Sequence, residues 1–264
     1  MDNYGLLGEK LGHSLSPTIH KMIFDYVGIE GEYSLYPTKI DDIHKLIDKI
    51  NHEEIRGINV TIPYKLEVMK YLDKVSDEAE YINAVNTVCM KNGKLTGYNT
   101  DCFGFEKTLL INNINPKNKN VAVLGTGGAS KAVVYVFNKL HAATIDLFSR
   151  NPQDGQKGYD RLKVNHNYDI IVNTTPVGMH PNVDKSPIGK DAIGKSEAVV
   201  DIVYNPIETK LLSYARELGK IHVNGMYMLV AQAVKAQEIF NSIEIPNNII
   251  RKIYESIIGD KENG

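Results

Sequence analysis

The sequence predicts an α/β protein with a largely parallel sheet. Short β-rich runs alternate with amphipathic helical runs along the chain. An apolar strand, Val121 to Leu124, runs directly into a glycine-rich turn and a helix. The 264 residues, 42% hydrophobic and 23% charged, are ample for a large core and suggest one or two domains.

The elements follow in order. Tyr4 to Gly8 is a strand, and a polar loop leads to a helix from Pro17 to Val27. Ser16 precedes Pro17, which predicts Ser16 as N-cap and proline at the first helical position. Tyr33 to Tyr36 is a strand, Asp41 to Ile50 a helix, and Ile55 to Thr61 a strand. Pro63 opens a helix to about Leu72. Ala84 to Val88 and Leu95 to Tyr98 form a hairpin around Asn92-Gly93. Asp101 stands at the start of a helix over Phe103 to Ile111. The Asn- and Lys-rich stretch from Asn112 to Asn120 is a loop, after which a new block begins. Its strands are Val121 to Leu124, Ala143 to Phe148, Asp169 to Asn173, Ala198 to Val203 and Ile221 to Val223. Its helix is Lys210 to Leu218, and two long helices close the chain, Met226 to Phe240 and Pro246 to Ile258.

Composition narrows the function. A net charge of −2 provides no basic field for nucleic acid. No apolar run approaches the ~20 residues of a membrane span, and Met1-Asp2-Asn3 does not begin a secretory signal. Cys89 and Cys102 lack CxxC spacing, and no Cys/His cluster suggests a metal. The expectation is a soluble protein of the reducing cytoplasm, with no metal.

Several stretches can carry chemistry, each with a plainer alternative. Gly125-Thr126-Gly127-Gly128-Ala129-Ser130 follows a strand and opens a helix, the context in which backbone approaches a pyrophosphate. A tight turn without ligand is the alternative. About 20 residues on, where an acidic residue would hold the NAD ribose, stands Arg150. A guanidinium suits the 2′-phosphate of NADP, unless it is only a solvated strand-end arginine. Ser14 and Ser16 could grip a small anion or simply cap a helix. Lys65, in the first turn of the helix predicted from Pro63, would oppose the helix dipole. A catalytic role or an anion partner would explain it, and an ordinary solvent-facing lysine is the plainer alternative for any lone lysine. Asn83 to Thr87 and Gly97 to Asp101 bracket the hairpin with amides and hydroxyls, which turn chemistry alone could explain.

Together these pieces resemble the shikimate dehydrogenase family. The resemblance rests on Ser14-Leu15-Ser16-Pro17, Asn59-Val60-Thr61-Ile62-Pro63-Tyr64-Lys65, Ala84-Val85-Asn86-Thr87 and Gly97-Tyr98-Asn99-Thr100-Asp101. It continues through Gly125-Thr126-Gly127-Gly128-Ala129, Asn173 to Met179, Asp201-Ile202-Val203-Tyr204, and Gly225-Met226 with Gln232. The motifs run in family order over nearly the whole chain. The resemblance implies reversible NADPH reduction of 3-dehydroshikimate to shikimate, a step of aromatic amino-acid biosynthesis. It implies an N-terminal α/β substrate domain completed by C-terminal helices, residues 1–101 plus 226–264. A Rossmann-like NADP-binding domain would occupy 102–225. Ser14, Ser16 and Tyr204 would hold the substrate carboxylate. Thr61, Lys65, Asn86, Asp101 and Gln232 would meet the ring hydroxyls, with Lys65 and Asp101 the catalytic pair. NADP would contact Gly125, Thr126, Gly127, Gly128 and Ala129, then Ser149, Arg150 and Asn151, then Thr174. Ile202 and Gly225 would flank the nicotinamide, and Asp77 matches a position sometimes given a cofactor contact. A monomer and a homodimer both fit the resemblance.

The chain departs from the family at the 2′-phosphate loop. The family commonly reads Asn-Arg-Thr with a lysine soon after; here it is Ser149-Arg150-Asn151-Pro152-Gln153-Asp154. Thr126 replaces the usual alanine. An NAD-dependent quinate/shikimate dehydrogenase is the nearest rival, and Arg150 counts against it. The methylene-tetrahydrofolate dehydrogenases share the two-domain plan but not the Ser14/Ser16 and Tyr204 motifs. A non-catalytic cofactor sensor would have little use for both Lys65 and Asp101. His13 is read as a solvated loop residue, Tyr64 and Tyr98 as packing residues with wet hydroxyls, and Met226 to Leu229 as core.

Overall fold

The computed structural model describes residues 1–12, 14–162 and 167–262, with side chains to residue 259, so His13 lies outside the described residues. The chain divides into two compact units, Met1–Gly104 with Val230–Gly264, and Phe105–Leu229.

The first unit begins with β1 (Asp2–Gly8), α1 (Ser16–Val27), β2 (Gly31–Pro37), α2 (Ile43–Asn51) and β3 (Gly57–Val60). It continues with β4 (Lys74–Val75), α3 (Asp77–Ile82), β5 (Thr87–Lys91) and β6 (Lys94–Tyr98), and α4 (Asp101–Ile111) starts in it and crosses into the second unit after Gly104. The second unit holds β7 (Asn120–Leu124), α5 (Gly128–Lys139), β8 (Thr144–Ser149), β9 (Gln156–Gly158), β10 (Ile170–Asn173), β11 (Ala198–Asp201), α6 (Lys210–Glu217) and β12 (Ile221–Val223). Then α7 (Met226–Asn241) returns the chain to the first unit, where α8 (Asn247–Glu262) ends it.

The first sheet has the order β2-β1-β3-β5-β6-β4. It is mixed rather than largely parallel, because β5 runs antiparallel to both of its neighbours, β3 and β6. One face packs α2 residues Leu46, Ile47 and Ile50 against Leu7, Ile58, Val60 and Val88. On the other, Phe24 of α1 and Ala236 and Phe240 of α7 close over Tyr4, Leu6 and Tyr33. The second sheet is wholly parallel, in the order β12-β11-β10-β7-β8-β9. That is the doubly wound order, with its switch point between β7 and β10.

Several local expectations are corrected. Ser16 is not an N-cap: the helix already includes it, and the cap position falls to Leu15 without a side-chain bond. The Ser16 amide instead donates to Ser14 Oγ at 3.2 Å. Pro63 opens no α-helix but a run of turns and a 3-10 helix, Glu67–Tyr71. The Lys65 carbonyl, which an α-helix would commit to Met69, accepts from Val85 N at 2.8 Å, and Met69 N turns to Leu66 O. Lys65 therefore opposes no helix dipole. The Tyr64 hydroxyl is not wet; it donates to Thr38 O at 2.6 Å. The helix expected from Asp41 starts as a 3-10 turn, Ile40–Asp42, and the first hairpin strand starts at Thr87 rather than Ala84. The sequence reading passed over β4, β9 and α3. β9 is Gln-Lys-Gly and shows no apolar pattern. α3 was legible: Ser76 accepts from Ala79 N, and Asp77, Glu78 and Glu80 fill the acidic first turn.

His20 on α1 is fully buried, stacked on Tyr33 with ring centroids 3.8 Å apart, and burial lowers its pKa to about 3. Below about pH 6.5 the unfolded chain takes up a proton here that the folded chain refuses. The stability it contributes is complete above pH 6.5. It falls as the pH drops toward 3, by about 1.4 kcal/mol per unit. In urea titrations, His20→Gln should lose about 2 kcal/mol less than wild type between pH 6.5 and 5. Equal losses in the two proteins would refute the assignment.

Candidate active site

In the first unit, three loops deliver polar groups around the ends of β3, β5 and β6. Asn99 Oδ1 accepts from Asp101 N at 3.1 Å and Cys102 N at 3.3 Å, so Asn99 caps α4. That leaves the Asp101 carboxylate for other partners. Its Oδ2 accepts from Lys65 Nζ at 2.6 Å, and its Oδ1 from Asn86 Nδ2 at 2.9 Å. The pair is largely sequestered, with side chains 15% and 11% exposed. Such a pair presents one ammonium of defined direction, the equipment for donating a proton to a developing oxyanion.

Gln232, on α7, joins this group through Thr100 Oγ1 at 3.4 Å. Thr61 follows β3, its amide bonded to Leu7 O at 2.9 Å. Ser14 and Ser16 lie together, Oγ to Oγ at 3.1 Å. Asp77 is exposed at the start of α3. Thus Lys65, Asn86, Asp101 and Gln232 form one hydrogen-bonded cluster, and Ser14 and Ser16 a second.

In the second unit, the ends of β7 and β10 meet at the switch point. Gly125 has φ +109°, a left-handed conformation, and a Cβ there would stand 2.8 Å from Thr174 Oγ1. Thr174 is held over the turn by Leu124 O, which accepts from its Oγ1 at 2.7 Å and its amide at 2.8 Å. Gly127 precedes α5, whose N-terminus no side chain caps, and a Cβ on Gly127 would meet open space. Thr126 is exposed, and Gly128 and Ala129 begin the helix. Ser130 Oγ turns back to Gly127 O at 2.7 Å. The loop leaves room for backbone contact with a phosphate, and the uncapped helix supplies the donors. These residues fit a dinucleotide.

At the end of β8, Ser149 Oγ accepts from Asn151 N at 3.2 Å, shaping a turn that leaves Arg150 exposed. Among the described residues, no carboxylate pairs with Arg150. Beyond β11, Asp201 accepts from Asn173 Nδ2, Val203 N and Thr209 Oγ1 at 2.9, 3.0 and 2.7 Å. Burial pushes its carboxyl up to about 6. Asn173 Oδ1 accepts from Thr175, and Asn173 O from the Ile202 amide at 3.0 Å. This framework fixes Ile202, against which Gly225 packs so closely that a Cβ would lie on Ile202 O. Burial raises the pKa of the Tyr204 hydroxyl, which therefore stays a neutral donor.

The chain is 42% identical to a protein from Clostridium beijerinckii named shikimate dehydrogenase (NADP(+)), over 96% of this chain and 97% of the relative. The chain belongs to the shikimate dehydrogenase family. The family's substrate-binding domain model matches residues 6–88, which contain Ser14, Ser16, Thr61, Lys65 and Asn86. Solved members of this family share the fold. A chorismate mutase/shikimate 5-dehydrogenase fusion protein from Clostridium acetobutylicum is 41% identical, with TM-score 0.95, covering 100% of this chain and 99% of that one. A shikimate 5-dehydrogenase from Thermus thermophilus, solved with NADP(H) and shikimate, is 28% identical, with TM-score 0.88 and coverage of 97% and 99%. Membership sets aside the methylene-tetrahydrofolate dehydrogenase reading. Among the described residues, no helix is long and apolar enough to cross a membrane, and no His/Cys/Asp/Glu group could hold a metal.

The sequence reading missed Asn99, Thr87, Tyr33 and Asn59 as parts of the site. Asn99 carried a signal, since asparagine two residues before a helical aspartate is a cap candidate. Asn59 and Thr87 stood within the polar stretches already singled out without a role of their own, and Tyr33 carried no signal.

Proposed function

We propose that this protein reduces 3-dehydroshikimate to shikimate with NADPH, reversibly, as a step of aromatic amino-acid biosynthesis in the cytoplasm. The observation that carries the reading is the sequestered Lys65–Asp101 pair, 2.6 Å apart. The cytoplasmic assignment draws on Cys89 and Cys102, buried thiols in no disulfide. Residues 1–101 with 226–264 act as the substrate domain and residues 102–225 as the NADP domain.

Ser14, Ser16 and Tyr204 donate hydroxyl protons to the substrate carboxylate. Thr61, Lys65, Asn86, Asp101 and Gln232 bind the ring oxygens. NADP lies along Gly125, Thr126, Gly127, Gly128, Ala129 and Thr174, with Ser149, Arg150 and Asn151 at the 2′-phosphate. Ile202 and Gly225 flank the nicotinamide, and Asp77 contributes a cofactor contact. Bound NADPH supplies a hydride to the ketone carbon. The Lys65 ammonium stabilises the charge gathering on the ketone oxygen and gives it a proton. Asp101 aims that ammonium. In the oxidative direction the same pair withdraws the proton from the alcohol.

Initial rates with shikimate and quinate, each with NADP and NAD, test the reading. Turnover of shikimate with NADP is expected to dominate. Arg150→Gln should raise KM for NADP roughly 10–100-fold, the worth of charge-assisted bonds to a phosphate, and leave NAD kinetics unchanged. Comparable rates with NAD or quinate would move the protein to the quinate/shikimate reading. Absence of turnover in all four pairs overturns the proposal.

A further inference from the structure

A chain of buried groups leads from the edge of the first sheet to the Asp101 carboxylate. Tyr33 lies on β2, the edge strand, with its ring held in the His20 stack. Its hydroxyl bonds Asn59 Oδ1 at 2.8 Å. Asn59 Nδ2 reaches Asn86 O at 3.3 Å and Thr87 Oγ1 at 3.0 Å, across the register in which Asn59 faces Thr87. Thr87 Oγ1 lies 3.1 Å from Asn86 Oδ1. Asn86 Nδ2 bonds Thr100 Oγ1 and Asp101 Oδ1, at 3.0 and 2.9 Å.

The amide orientations, and with them most proton directions, follow from groups that have no choice. The Thr100 amide can only donate, so the atom it faces at 2.7 Å is the Asn86 oxygen. The Asn86 nitrogen then faces Asp101. The Asn86 carbonyl can only accept, so the Asn59 atom beside it is nitrogen, and the Asn59 oxygen faces Tyr33, which must donate. Burial holds the Tyr33 pKa well above its ordinary value, keeping the hydroxyl a donor. Thr87 Oγ1 receives the Asn59 proton and so turns its own toward Asn86 Oδ1 or Thr100 Oγ1, 3.2 Å away. Donors therefore run from Tyr33 to Asn59 to Thr87, then to Asn86 directly or through Thr100 Oγ1, 3.2 Å from Asn86 Oδ1, and on to Asp101, with Lys65 closing on the far carboxylate oxygen. Reversing the Asn86 amide would set oxygen against oxygen at Asp101 and nitrogen against the Thr100 N–H.

We propose that Tyr33 and Thr87 are positioning residues: through Asn59 and Asn86 they lock the Asp101 carboxylate in the orientation that aims Lys65. Each bond in such a one-way chain polarises the next, and a fully satisfied buried network holds one geometry. The inference rests on the catalytic reading of Lys65 and Asp101. It adds that the orientation of the pair is set by hydroxyls on the sheet, one of them on the edge strand.

The test compares steady-state kinetics of Tyr33→Phe, Thr87→Val and Thr87→Ser, with Lys65→Ala and Asp101→Asn as references. Tyr33→Phe keeps the ring stack and Thr87→Val keeps the volume, so each removes little but a hydroxyl. Each should lower kcat about tenfold, the usual weight of one hydrogen bond at a transition state. KM for shikimate should stay within about twofold, since neither residue is placed on substrate. Thr87→Ser, which restores the hydroxyl, should restore kcat. A purely structural role would lower the melting temperature without this kcat-only loss and serine rescue. Should one variant unfold at assay temperature, the other decides. Normal kcat in Tyr33→Phe and Thr87→Val, with activity lost in both reference variants, overturns this inference alone. Normal kcat in the references overturns the catalytic reading beneath it.

Discussion

Replacing Lys65 by alanine lowers kcat by about 10²–10⁴-fold, the range for a positioned general acid, while the protein stays folded. The size of the effect follows from sequestration. At 15% exposure, water has little room to take over the proton transfer, and the 2.6 Å bond to Asp101 allows the ammonium few other directions. The fold survives because Asp101 keeps its bond from Asn86 at 2.9 Å and Asn99 still caps α4. Binding of NADPH should be untouched, so a fluorescence titration of the variant against wild type separates lost chemistry from lost cofactor. A Lys65→Ala protein with near-normal kcat would remove the lysine from the reaction.

Gly125→Ala is expected to destabilise the second unit through backbone strain and a steric clash together. Alanine at φ +109° is strained, and its Cβ would approach Thr174 Oγ1 to 2.8 Å and Thr175 Cγ2 to 2.9 Å. Neither neighbour yields readily, since Thr174 is bonded to Leu124 O and Thr175 Oγ1 to Asn173 Oδ1 at 2.7 Å. Strain and overpacking together cost roughly 2–6 kcal/mol. Gly127→Ala is the control: its Cβ enters open space, so stability should hold while NADPH binding weakens. Chemical denaturation and NADPH titration of both variants check this. An unchanged unfolding midpoint in Gly125→Ala, or unchanged NADPH affinity in Gly127→Ala, would contradict this geometry.

What was legible in the sequence was local. The strand, glycine turn and helix around Gly125 are contiguous, and the conformation they need restricts residue choice at each position. Lys65 drew notice for a reason the fold removes, an opposed helix dipole; its carbonyl is instead taken by Val85. Ser16 was read as a cap because serine before proline usually is one, but its amide bonds Ser14. The Tyr33, Asn59 and Thr87 chain was not legible. It depends on the register that sets Asn59 opposite Thr87, and a one-residue slip would turn each side chain to the other face. Sheet order places Tyr33 two strands from Asn59, with β1 between them. No periodicity within either strand announces that.

The first unit is assembled from both ends of the chain, with residues 105–229 intervening. A ribosome therefore releases the second unit whole before the first can close. Until α7 emerges, Tyr4, Leu6 and Phe24 lack Ala236 and Phe240, which belong to the same core cluster. Nascent chains interrupted near residue 229 would carry a finished nucleotide-type sheet beside an apolar face open to chaperones.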